Sequence, residues 1–164
     1  MKPLTFVSDD PAATSIKRRP PITDFGSHHA YRVIQEWIDV CEHSHVGCEK
    51  IEDTFLPTRL LDVCDHNSSR VLHLVKPPKG TKGKYLALSY CWGVRGQRVV
   101  LTLEKLNSGV VEFPLASLPQ AFQDAIFVTR QLGYKYLWME ALCIIQDGDG
   151  GDDFQQEGGL MGEV

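Results

Sequence analysis

The chain has 164 residues, 43% of them hydrophobic and 23% charged, with a formal net charge of −4 and a pI near 5.8. That length suits one domain with a real core and is short for two. The acidic balance, with Lys and Arg scattered, excludes a basic nucleic-acid footprint. No window is apolar for long enough to span a bilayer, and the N-terminus lacks the hydrophobic run of a secretory signal. Five cysteines without such a signal point to free thiols in a reducing, cytoplasmic setting.

Residues 1–24 hold Pro3, Pro11, Pro20 and Pro21 with little periodicity and read as a disordered leader, in which Lys17-Arg18-Arg19 is a solvated cluster. A helix is expected from His28 to Glu42, with Val33, Ile34, Trp37, Ile38 and Cys41 on its apolar face. Arg59–Cys64 and Arg70–Val75 read as two strands of a hairpin joined by the turn-rich Asp65–Ser69. Pro77–Lys84 is the best internal boundary, which divides the chain into a leader (1–24), a helix-and-hairpin region (25–80) and a second region (81–164).

Tyr85–Tyr90 reads as a strand that ends at Cys91-Trp92-Gly93. A short extended piece over Val99–Leu103 and a loop at Asn107-Ser108-Gly109 follow. The clearest helix begins near Ser117, which is placed to cap it, with Pro119 in the first turn and Gln120 three after the cap. Leu118, Phe122, Ala125, Val128 and Leu132 form its expected buried stripe, and Gly133 ends it. Strand, helix and strand in this order make a βαβ unit.

The second strand of that unit is Tyr136-Leu-Trp-Met-Glu140-Ala-Leu-Cys-Ile-Ile-Gln146, apolar almost throughout and interrupted by one carboxylate. Burying an unpaired carboxylate is costly. Glu140 is therefore the candidate acid, either exposed at a strand end with a chemical task or neutralised by an arginine such as Arg95 or Arg130. Ligands of parallel α/β sheets gather outside the carboxyl ends of strands. If the two strands are neighbours, Ser89, Tyr90, Trp92 and Gly93 share one mouth with Glu140 and Gln146. A nucleotide suits that set: an aromatic ring stacks on a base, and a carboxylate takes ribose hydroxyls or steadies a developing cation. Trp138, in mid-strand, reads as core.

Cys41, His43, His45, Cys48, Cys64 and His66 raise a zinc reading, but their spacing is irregular and Cys41 falls on the apolar helix face. Cys143 sits in an apolar run where burial makes a thiol inert. Gly148–Asp153 resembles a calcium loop in composition only. After a weak helical pattern over Phe154–Val164 the chain reads as cut off.

Three blocks together resemble the fungal heterokaryon incompatibility (HET) domain: Tyr85-Leu-Ala-Leu-Ser-Tyr-Cys-Trp-Gly93, Leu118-Pro-Gln-Ala-Phe-Gln-Asp-Ala-Ile126 leading into Leu132-Gly133, and Tyr136–Gln146. Leu56-Pro-Thr-Arg-Leu-Leu-Asp-Val63 resembles the region that leads into such domains, and Asp153-Phe154…Glu157…Met161 resembles a later helix of the family. Glu140 stands where the family usually has Asp, and Phe154 where it has Trp. The resemblance covers the first part of a typical domain.

It implies an α/β fold with a small parallel or mixed sheet and flanking helices, distantly like the flavodoxin-like Toll/interleukin-1 receptor domains, preceded here by a helix and a β-hairpin. It implies a role in fungal nonself recognition and regulated cell death, with NAD as candidate substrate and Glu140 as candidate catalytic residue. The competing expectation is a non-catalytic module that self-associates or binds other cell-death signalling proteins. An inactive truncated fragment is the third.

Overall fold

The computed structural model describes residues 24–45, 54–64, 70–93, 96 and 99–161. The expected leader, apart from Asp24, and the turn at Asp65–Ser69 lie outside them, as do Cys48, His66 and Arg95. A helix, α1 (His28–Ser44), precedes a five-stranded mixed sheet built from β1 (Leu60–Asp62), β2 (Val71–Val75), β3 (Tyr85–Leu88), β4 (Glu112–Pro114) and β5 (Tyr136–Met139). The strands lie in the order β3-β5-β1-β2-β4. β3 and β5 are parallel, and the other pairings are antiparallel. The α/β class, the hairpin and the parallel neighbours expected from the sequence are all present.

Register sorts the side chains. Leu61, Leu74, Leu86 and Leu137 lie on one face, in line with Leu72, Leu88, Phe113 and Met139. The helix α3 (Gln120–Gln131) adds Phe122 and Ile126 to this core, each 1% exposed. The opposite face mixes Tyr85, Ala87, Asp62, His73 and Glu112 with the buried Leu60 and Trp138. Alternation along half-covered strands produces this division.

Several local expectations change. Trp37, assigned to the apolar face of α1, is 56% exposed, while Ala30, Tyr31 and Val33 are buried. Ser27, not anticipated, caps α1 by accepting from Ala30 N at 3.2 Å. Ser117 does not cap α3. Its hydroxyl donates to Pro114 O at 2.7 Å within a 3₁₀ turn, and Pro119 stands at the cap position without a side-chain bond. The α3 stripe is rotated accordingly: Phe122, Ile126 and Thr129 are buried, whereas Ala125, Val128 and Leu132 are only partly so.

The segment expected to be extended over Val99–Leu103 contributes a single parallel bridge, Leu101 to Ile145. Leu103 instead opens a short helix, α2 (Leu103–Asn107), capped by Thr102, which accepts from Lys105 N at 3.1 Å. β4 was not anticipated because a three-residue strand ending in Pro114 has no readable alternation. It pairs at the sheet edge, where proline is tolerated, and only Phe113 points inward.

The largest difference concerns Tyr136–Gln146. The strand stops at Met139, and Glu140–Cys143 forms one helical turn, α4, closed by Ile144 N donating to Glu140 O at 3.0 Å. A short apolar run fits a buried strand and a buried helical turn equally well, so periodicity alone could not separate them. The last described element is α5 (Asp152–Met161), which starts two residues before the expected pattern.

Candidate functional site

The last paired residues of the parallel strands are Leu88 and Met139. One step further, the chain leaves the sheet at Ser89 on one strand and at Glu140 on the other. Neighbouring strands run about 4.8 Å apart, so the two residues emerge side by side at the carboxyl ends. Ser89 is exposed, Glu140 partly exposed. Arg130 is not the partner of Glu140; its Nε donates to Val63 O at 2.6 Å.

Past Ser89, the Tyr90 ring meets Phe122 edge-on, with centroids 5.0 Å apart and planes at 82°. That contact anchors the bend to α3. Trp92 is partly buried against the core cluster and keeps some surface open. Gly93 has φ +74°, a left-handed conformation that an L side chain would strain. The sharp exit after Trp92 thus depends on glycine. Gln146 is partly buried, and its Nε2 donates to Glu140 O at 3.0 Å and Ile144 O at 3.1 Å. Its amide nitrogen braces the α4 backbone.

A second arrangement, unforeseen in the sequence, supports the same turn. Arg59, 4% exposed, donates from Nε to Cys143 O at 2.6 Å. Its Nη2 pairs with the Asp153 carboxylate, and Glu157 Oε1 lies 4.0 Å away. Asp153 Oδ2 also accepts from Ile145 N at 2.7 Å. The available signal was the four-residue spacing of Asp153 and Glu157, which puts two acids on one helix face. Without a partner in view, that spacing reads as a solvated face.

Cys143 is fully buried, and desolvation pushes its thiol from 9.0 up to about 12. It stays protonated and unreactive near neutral pH. For zinc, no group of three or more His, Cys, Asp or Glu among the described residues is placed to hold a metal. His43 Nδ1 is instead within hydrogen-bond reach of Asp39 O, at 2.8 Å.

Two described cavities lie at the other end of the strands. One of about 580 Å³ opens between α1 and the turn into β5, with Asp39, Glu42, Lys84 and Tyr134 in its wall. The Tyr134 hydroxyl titrates above its ordinary range, chiefly through burial and then through the nearby Glu42. Another of about 300 Å³ adjoins Ile38, Thr54 and the start of β3. Neither is lined by Glu140 or by Ser89–Gly93.

Among the described residues, no helix is long and apolar enough to cross a membrane. No curated protein and no solved structure matches the chain. Residues 85–164 match the family model of the heterokaryon incompatibility protein (HET). That span begins at the first residue of β3 and includes the Ser89–Gly93 bend, α3, β5 and the Glu140 turn. Over residues 85–164, then, the chain is similar to the heterokaryon incompatibility (HET) family.

Proposed function

We propose that this chain acts in heterokaryon incompatibility, in nonself recognition leading to regulated cell death, and that the mouth at the carboxyl ends of β3 and β5 binds and cleaves NAD. The observation that carries this reading is the parallel pairing of Leu88 with Met139, which releases Ser89 and Glu140 as neighbours. Trp92 offers an aromatic surface beside a backbone held open by Gly93. In the reaction, the bond between nicotinamide and ribose breaks and its electron pair leaves with nicotinamide. Water attacks the ribose carbon and loses a proton. The Glu140 carboxylate steadies the positive charge that develops on the ribose. The test is release of nicotinamide from NAD by the wild type against Glu140→Gln, which keeps the shape and removes the charge.

A second reading, a non-catalytic module that assembles with itself or with other signalling proteins, is favoured by the exposed aromatics Trp37 (56%) and Phe127 (51%). A contiguous apolar patch left in water marks a surface that partners cover. Sedimentation of the wild type against Trp37→Ser with Phe127→Ser tests it. Equal masses at every concentration count against self-association.

A further inference from the structure

We propose that Arg59 is a positioning residue for Glu140, and that docking of α5 through Asp153 sets the geometry of the mouth; this rests on the role proposed for Glu140. α4 has only four residues, and a single turn cannot hold its own shape against solvent. Its geometry comes from what grips it. Leu101 N donates to Ala141 O at 2.8 Å, and Gln146 braces the carbonyls of Glu140 and Ile144.

The exit of the turn is gripped most tightly. Arg59 takes the Cys143 carbonyl, Asp153 takes the Ile145 amide, and the two side chains pair with each other. A guanidinium from the segment before β1 and a carboxylate from α5 therefore clamp the three residues that follow Leu142. Glu140 is one turn away, joined to this exit by its own bond from Ile144 N.

α5 depends on the same clamp. Of its described side chains, Glu157 is buried and Asp153 mostly so, while Phe154, Gln155 and Gln156 face solvent. Gly158 and Gly159 weaken the helix from within. Among its described side chains, the helix thus docks by charge rather than by apolar area. If it leaves, Arg59 stays buried without its counter-ion, a costly state that the segment relieves by rearranging. The rearrangement falls on Cys143–Ile145 and moves Glu140.

The full chain with carbon-13-labelled glutamate tests this without nucleotide. Asp153→Asn keeps the shape of the side chain and removes its charge. Ile126→Val trims the distant core and serves as the control for general loosening. We expect Asp153→Asn to displace the Glu140 carboxyl resonance and to raise amide exchange at Ala141–Gln146 by about tenfold or more. Arg59→Gln should do the same, Arg59→Lys less, and Ile126→Val should leave the Glu140 resonance in place. An unmoved resonance in Asp153→Asn, or an equal displacement in Ile126→Val, overturns the proposal. Because the readout needs no NAD, absence of NAD cleavage by the wild type defeats the proposed function and leaves this test standing.

Discussion

Arg59 and Asp153, 94 residues apart in sequence, form a buried ion pair that joins the segment ahead of β1 to the last described helix. Arg59 lies outside the family-matched span and Asp153 within it. Removing one member strands the other in a poorly solvated site. Arg59→Ala is therefore expected to lower stability by about 3–5 kcal/mol, while Arg59→Met combined with Asp153→Leu costs much less. Urea unfolding of the three proteins checks both values. A single-variant loss equal to that of an exposed pair, about 1 kcal/mol or less, contradicts the burial argument.

The sheet makes a related prediction about fragments. β5 has β1 on one side, through Leu61 with Leu137 and Asp62 with Tyr136, and β3 on the other. Residues 81–164 alone would lose β1, β2 and the fully buried Leu60, Leu61 and Val63. They are expected to show no cooperative thermal transition by circular dichroism, whereas the full chain shows one. A sharp transition in the fragment would mean that the hairpin is dispensable.

Gly133 ends α3 with φ +78°, its N–H donating to Arg130 O at 3.0 Å. A Cβ there meets nothing within 4 Å, so the cost of Gly133→Ala is conformational alone. It should be about 1–2 kcal/mol. Gly133→Asn should cost less, because asparagine tolerates the left-handed region better. Equal losses for the two variants, measured by urea unfolding, contradict this account.

Cys143 gives a pH signature. Its folded thiol titrates above the ordinary 9.0, at about 12, so the folded state keeps the proton that the unfolded chain releases. The stabilisation is complete below pH 9.0 and is lost as pH rises toward about 12, with a slope of about 1.4 kcal/mol per pH unit. Burial of Tyr85 and Tyr134 raises their titration and acts in the same direction. Cys143→Ala should flatten the alkaline fall in urea stability. Iodoacetamide at about pH 8 should label the exposed Cys91 and spare Cys143 in the native chain.

The sequence announced the features that rest on local pattern. The period of α1, the hairpin strands, the strand at Tyr85 and the Gly133 stop all follow from spacing within a few residues. The features it concealed rest on tertiary partners. Nothing local distinguishes a buried turn at Glu140–Cys143 from a continued strand; the bridge from Leu101 to Ile145 and the grip of Arg59 on Cys143 O decide it. Trp37 matched the helix period, in line with Ala30 and Val33, yet faces solvent, because the buried residues of α1, Ala30, Tyr31 and Val33, all lie in its first two turns. At the site, the Ser89 bend and the acid were legible as motif residues, and their adjacency required the register of β3 on β5. The roles of Arg59 and Asp153 depended on a contact that no spacing encodes.

The proposed chemistry is tested most directly by incubating the full chain with NAD and measuring nicotinamide released, wild type beside Glu140→Gln, with circular dichroism to confirm that both are folded. The account predicts steady release by the wild type and a loss of about a hundredfold or more in the variant, as expected when a charge that stabilises a transition state is removed. Equal release by the two folded proteins, or none from the wild type, would contradict it.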